Sequence, residues 1–99
     1  MKYKIGEEDY KTKKEISNRY RMMLNSYELK QTLSTEDHNA LYNLIEYHTN
    51  PDKKLGKPVS RFSVGWNRYN TRSFYIHYED GTYDDVSIHD CIGNIKPNK

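Results

Sequence analysis

At Pro58 the hydrophobic period of this 99-residue chain changes from that of a helix to that of a strand. Before it, Ile16, Tyr20, Met23, Leu24 and Tyr27 recur at helical spacing, and Leu41, Leu44, Ile45 and His48 do so again. After it, Phe62, Val64 and Trp66 alternate with Arg61, Ser63 and Gly65. Phe74, Ile76 and Tyr78 alternate with Tyr75 and His77, and Val86 and Ile88 with Asp85 and Ser87. Helices with one apolar stripe and strands with one apolar face hide those surfaces by packing on each other. The expected class is therefore α+β, one domain over residues 1–99. It consists of a short N-terminal hairpin and two helices packed on a three-stranded antiparallel sheet.

Local chemistry marks the boundaries. Tyr3 and Ile5 alternate with lysines before Gly6-Glu7, and Asp9-Tyr10 can return, which makes the opening hairpin. Thr12-Lys13-Lys14-Glu15 has the form of a capping box, so the first helix is expected over roughly 13–28. Lys13, Lys14, Asn18 and Arg21 lie mostly off its apolar stripe. Ser34-Thr35-Glu36-Asp37 opens the second helix with acids where the helix dipole favours them. Asn50-Pro51 is expected to end it, because proline pushes its predecessor out of the helical region. His48, near that end, complements the dipole. Residues 53–58 then read as a basic loop. Glu79-Asp80-Gly81-Thr82 is a hairpin turn in which Asp-Gly supports positive φ. Ile92 and Ile95 close the sheet edge as a short terminal turn. The alternation puts Trp66 in the core, with Tyr20, Tyr27 and Tyr47 at its margin.

Composition excludes several classes. Apolar residues make up 34% of the chain, but ten are tyrosines, so aliphatic content is low. Periodicity and aromatic content still argue against disorder. Apolar runs are too short to span a membrane, and the N-terminus lacks the apolar stretch of a signal peptide. Cys91 is the sole cysteine and has no internal disulfide partner. A cytoplasmic protein is the expectation.

Charge is segmented by sign along the chain. Residues 34–52 carry four acids and no Lys or Arg. Residues 53–72 carry Lys53, Lys54, Lys57, Arg61, Arg68 and Arg72 and no acid, whereas residues 73–90 carry five acids and no Lys or Arg. Six cations so close in sequence can neutralise phosphates along a groove, and Tyr75, His77 and Tyr83 on the polar sheet face can stack on bases. Tyr69 lies near that face. Two bland readings compete. The run can be a solvated loop balanced by neighbouring acids, and Arg72 can pair with Asp85 across adjacent strands.

Other chemistries find less material. His89-x-Cys91 has no second pair at zinc spacing. Asp80, Asp84 and Asp85 cluster near a turn without EF-hand spacing, and turn chemistry already accounts for Asp80. Cys91 sits among Ile88, Ile92 and Ile95 as a buried small hydrophobe, and no Gly-rich phosphate loop exists. No catalytic residue, metal or cofactor is expected.

Certain motifs, in order, resemble a known family. Tyr47-His48 stands at a helix end, Lys54-Leu55-Gly56 in the loop, Phe62-Ser63-Val64 and Arg72-Ser73-Phe74-Tyr75 in strands. Asp80-Gly81-Thr82, Asp85-Val86-Ser87 and Cys91-Ile92 follow. From Ser34 to Ile92 the chain resembles the plant DCL family, named for defective chloroplasts and leaves and also found in bacteria and phages. Lys4-Ile5-Gly6 and the stretch Tyr10 to Glu15 also look like family members with an opening hairpin. The sequence departs at Ile88-His89-Asp90-Cys91, where members commonly show Tyr-Arg-Lys-Cys, and at Thr49, where a proline is usual. The resemblance implies an accessory module: plant members are tied to chloroplast ribosomal RNA processing, and a related domain ends the largest subunits of RNA-silencing polymerases. The leading expectation is a non-enzymatic nucleic-acid-binding module, RNA before DNA. The alternative is a phage-encoded protein-interaction module that modulates a host enzyme, through an acidic surface that mimics nucleic acid. A metal-dependent nuclease on Asp80, Asp84 and Asp85 comes third.

Overall fold

A computed structural model describes residues 2–97 and has the expected α+β architecture. Strands β1 (Tyr3–Ile5) and β2 (Glu8–Tyr10) form the opening hairpin, with Gly6 at φ 60° in its turn. Helix α1 (Lys13–Asn25) begins at Thr12, whose hydroxyl accepts from the Glu15 N–H. The Glu15 carboxylate reaches back past the cap to the Lys11 N–H at 2.7 Å, so the chain entering the helix is pinned as well as one donor of its first turn. Helix α2 (Thr35–Ile45) begins at Ser34, which accepts from Asp37 N–H.

The sheet joins β3 (Val59–Trp66), β4 (Arg72–Tyr78) and β5 (Tyr83–Val86) in that order, all antiparallel. Its registers pair Phe62 with Ile76 and Val64 with Phe74 on one face. The same registers pair Arg61 with His77 and Ser63 with Tyr75 on the other. The first face is the core. Ile16, Tyr20 and Met23 of α1 and Leu41, Leu44 and Ile45 of α2 bury against it. Each fully buried large apolar side chain contributes roughly 1.5–3 kcal/mol relative to exposure. The Tyr20 hydroxyl donates to the Ala40 carbonyl at 2.8 Å, which ties α1 to α2 and satisfies a polar tip inside the core.

Two short helices add to the two expected. Helix α3 (Pro51–Leu55) takes in residues 53–55 of the stretch read as a loop and leaves 56–58 outside any element, because Pro51 stands at the first helical turn, where its missing N–H costs nothing. Helix α4 (Ile88–Gly93) replaces the end of the last strand. Ser87 caps it by accepting from Asp90 N–H, and Cys91 and Ile92 of α4 are buried. The linker between α1 and α2 also differs from expectation. The N–H groups of Lys30 and Leu33 donate to the Val64 and Phe62 carbonyls, so residues 30–33 cover the outer edge of β3.

Several side chains depart from the expected placement. Trp66 is 55% exposed, because β3 ends there and no helix covers it. Of the three tyrosines expected at the core margin, Tyr20 is fully buried and Tyr47 exposed, while Tyr27 is half-buried against the core as expected. The Asp-Gly turn holds positive φ at Gly81 alone (φ 90°). Gly81 N–H donates to the Tyr78 carbonyl, and Tyr78 N–H to the Thr82 carbonyl. That is a type I turn closed by a left-handed glycine. His48 lies three residues beyond α2, its Nε2 3.5 Å from an Asp90 oxygen and its Nδ1 accepting from Asn50 N–H. No described helix is long and apolar enough to cross a membrane.

Candidate nucleic-acid interface

The polar face of the sheet carries Arg61 and Ser63 from β3, Tyr75 and His77 from β4, and Tyr83 and Asp85 from β5. Period-two alternation puts them there, opposite Phe62, Val64, Phe74, Ile76 and Val86, the core residues of the same strands. The face is ordered by short contacts. Ser63 Oγ and His77 Nε2 lie 2.7 Å apart. The Tyr75 hydroxyl donates to the Trp66 carbonyl at 2.6 Å, which draws its ring across β3. Gly65 makes room for that ring: a Cβ at Gly65 would stand 2.9 Å from Tyr75 Cε2. The Tyr83 ring is 69% exposed and meets Tyr75 and His77 at centroid distances of 6.1 and 6.2 Å. A shallow cavity of about 290 Å³ opens among Lys30, Ser63, Trp66, Tyr75, His77 and Tyr83. Lys30 and Trp66 were not among the expected site residues. Lys30 enters with the linker that edges β3, and Trp66 through its exposure.

Partial burial lowers the His77 pKa, and the Arg61 charge lowers it further, so the ring is neutral at pH 7. Burial raises the Tyr75 pKa, with Asp85 and Tyr83 adding to it, so its hydroxyl stays protonated and donating. The face therefore presents uncharged rings, with Arg61 and Lys30 at the β3 side and the Asp85 carboxylate on the β5 side.

The six sequence-predicted cations do not form one surface. Lys54 projects from α3 onto β5, where Nζ lies 2.8 Å from Asp84 Oδ2 and 2.8 Å from the Asp85 carbonyl. Lys57 reaches Asp80 Oδ2 at 3.1 Å and lies over the Tyr78 ring. Arg72 does not meet Asp85: β5 ends opposite Phe74, and Arg72 Nη1 donates instead to the Tyr27 carbonyl at 2.6 Å. Arg61 donates to Thr32 Oγ1 at 3.3 Å, and Arg68 lies 5.0 Å from the exposed Tyr69 ring. Lys53 is exposed on α3. Among the described residues, Lys53, Arg61, Arg68 and Arg72 are not within 4.0 Å of a carboxylate oxygen.

The acids fare similarly. Hydrogen bonds from the Thr82 hydroxyl and N–H pull the Asp80 carboxyl down to about 2, with Lys57 a lesser cause. Partial burial alone raises Asp84, but the Lys54 hydrogen bond and charge outweigh it and leave the carboxyl below its ordinary value. Among the described residues no three His, Cys, Asp or Glu side chains come together as a metal site. Cys91 is fully buried, and burial pushes its thiol up to about 12.

Comparison with known proteins gives this geometry a family setting. Residues 21–92 match the profile of a family described as protein of unknown function (DUF3223). The chain is 27% identical over 96 residues to Protein EMBRYO DEFECTIVE 514 of Arabidopsis thaliana, covering 95% of this chain and 48% of that protein. It is 27% identical over 78 residues to DNA-directed RNA polymerase IV subunit 1 of the same plant, covering 78% of this chain and 5% of that subunit. It thus spans about half of one relative and a small part of the other. A solution NMR structure of an uncharacterised protein from Rhodospirillum rubrum shares the fold at a TM-score of 0.82 and 27% identity, over 89% of this chain and 85% of that one. The motifs from Tyr47 to Ile92 fall inside the matched span, whereas Lys4-Ile5-Gly6 and the stretch Tyr10 to Glu15 lie before it, and the family matched is DUF3223 and not one named DCL.

Proposed function

We propose, for a chain that belongs to the DUF3223 family, a non-enzymatic role: its open sheet face binds single-stranded nucleic acid, RNA before DNA. The observation that carries this is the coincidence on one face of stackable rings (Tyr75, His77 and Tyr83, with Trp66 beside them) and cations not engaged by carboxylates (Arg61 and Lys30). Bases stack on the rings at about 1–3 kcal/mol each, and phosphates meet the rim cations. The preference for RNA rests on the likeness to the DCL family and on the name of the polymerase relative. The alternative, a protein partner met through an acidic surface, has less support. Asp80 and Asp84, two of the acids it needs, are held by lysines.

Fluorescence anisotropy with single-stranded RNA, hairpin RNA and duplex DNA at two salt concentrations tests the reading. Single-stranded RNA is expected to bind most tightly, and its affinity to fall with added salt. No binding at micromolar protein in low salt would reject the proposal and favour a protein partner.

A further inference from the structure

The cations of α1 that lie off its buried stripe, Lys14 and Arg21 with Lys13 beside them, have no part in the sheet face. Lys14, Asn18 and Arg21 recur at four and three residues, so they share one side of the helix. They line a concavity together with Lys13, His89 and Ile92, and no acid lines it. Lys14 and Arg21 are exposed, and neither is in a salt bridge among the described residues. Lys13 donates to the Gly93 carbonyl at 3.1 Å, which fixes α1 against α4.

This concavity joins the sheet face through two others. His89 also lines a cavity of about 300 Å³ at the end of the sheet, where Arg68, Tyr69 and Arg72 converge with Ser87. Arg68 in turn lines a shallow depression with Tyr75 and Tyr83, the rings of the proposed platform. Shared residues thus link the hollows in order: platform, Arg68, the Arg68–Arg72 cavity, His89, and the Lys14–Arg21 side of α1. Asp84 and Asp85 both line the depression beside Tyr75 and Tyr83, and Asp85 also lines the Arg68–Arg72 cavity; Asp84 is held by Lys54, and the Asp85 carboxylate is not in a salt bridge among the described residues.

We infer that a single-stranded nucleic acid stacked on the sheet face continues past Arg68 and lays its phosphodiester backbone along the Lys14–Arg21 side of α1. The inference rests on the proposed platform and extends it to a second, purely electrostatic segment. A phosphate chain fits the α1 end of this route because its lining there holds Lys13, Lys14 and Arg21, no acid, and His89 as its one ring, so it meets a backbone chiefly through charge.

Chain length separates the two segments. Anisotropy titrations would compare oligouridylates of about 4 and about 12 nucleotides, spanning the site sizes of small single-strand binding folds. In the Lys14→Glu/Arg21→Glu variant, affinity for the long oligomer should fall roughly tenfold and the salt slope should shrink by about 1.4, while the short oligomer is unaffected. Circular dichroism confirms that the variant is folded, and Lys14→Gln/Arg21→Gln should give the same pattern with a smaller loss. If both oligomers bind and neither is weakened by either variant, the backbone track is wrong and the platform stands. If equal losses appear at both lengths, the helix cations act as a diffuse field and the track is likewise wrong. If wild-type protein binds neither oligomer, the platform falls and the track with it.

Discussion

The cationic block from Lys53 to Arg72 folds into two regions with opposite electrostatics. At the corner where α3 meets the β4–β5 hairpin, Lys54 and Lys57 are held by Asp84 and Asp80. On the open face and at its end, Arg61 and Arg68 lie beside a hydroxyl and a ring. The cause is topology. Residues just before β3 lie next to the far end of the following hairpin, where Asp80 sits in the turn and Asp84 in the strand that leaves it. Arg61 lies across from His77 instead, with rings and not acids for neighbours. A run of like charge in sequence is therefore no guide to a field in space. The acids that cancel it can be twenty or thirty residues away.

The comparison breaks most sharply at the rings. Tyr75→Ala with Tyr83→Ala should weaken single-stranded RNA binding by roughly 2–6 kcal/mol, the loss of two stacked bases. Lys53→Glu with Lys57→Glu, at the corner, should change it by less than roughly 1 kcal/mol. Anisotropy on both variants decides the matter. Equal losses would mean that the corner belongs to the interface after all.

Stability should show the reverse pattern. Lys54 is 11% exposed at its side chain, with Asp84 at 38%. Lys54→Ala strips a half-buried carboxylate of its partner, and after allowance for solvent screening it should cost about 1–2 kcal/mol by urea denaturation. RNA affinity should be untouched. The pH dependence sharpens this. The folded carboxyl of Asp84 lies below its unfolded value, so the pair stabilises the protein above that value and the gain is lost as pH falls through the folded one. The gap between wild type and Lys54→Ala should be full above about pH 5 and close as pH drops below about 4. A gap constant down to pH 2 would show that Lys54 acts by packing its stem alone.

How far these regions were legible in the sequence follows from what sets each. The caps at Thr12 and Ser34 and the alternation from Phe62 to Val86 are local, and they fixed the starts of the main helices and the core face, but both helices end earlier than expected, at Asn25 and Ile45 and not near residue 28 and Asn50. Ser87-Ile88-His89-Asp90 carried the same capping signal for α4, but the alternation of Val86 and Ile88 masked it. Pro51 was read as a stop when it also makes a good first-turn residue. Trp66 had the parity of a core residue, and only the position of the strand end exposes it. The Lys54–Asp84 pair and the edge cover by residues 30–33 depend on contacts between distant segments, and no local signal announces them.

The smallest effect is the most specific, because it asks whether the corner is held by charge or by the turn. Asp80 and Lys57 are both half exposed, so their ion pair is weakened by water and salt, and Lys57→Gln should leave the unfolding midpoint unchanged within error. The low Asp80 pKa has another source. Asp80 Oδ1 accepts from both the N–H and the hydroxyl of Thr82, and these bonds outrank Lys57 as the cause. Carboxylate titration by NMR should therefore find Asp80 still well below its ordinary value in Lys57→Gln. In Thr82→Val, which loses the hydroxyl and keeps the N–H, it should rise appreciably towards that value. If Lys57→Gln alone restores the ordinary pKa, the lysine carries the shift. The corner would then be an electrostatic clamp, comparable in kind to Lys54–Asp84, and not a turn with a cation resting on it.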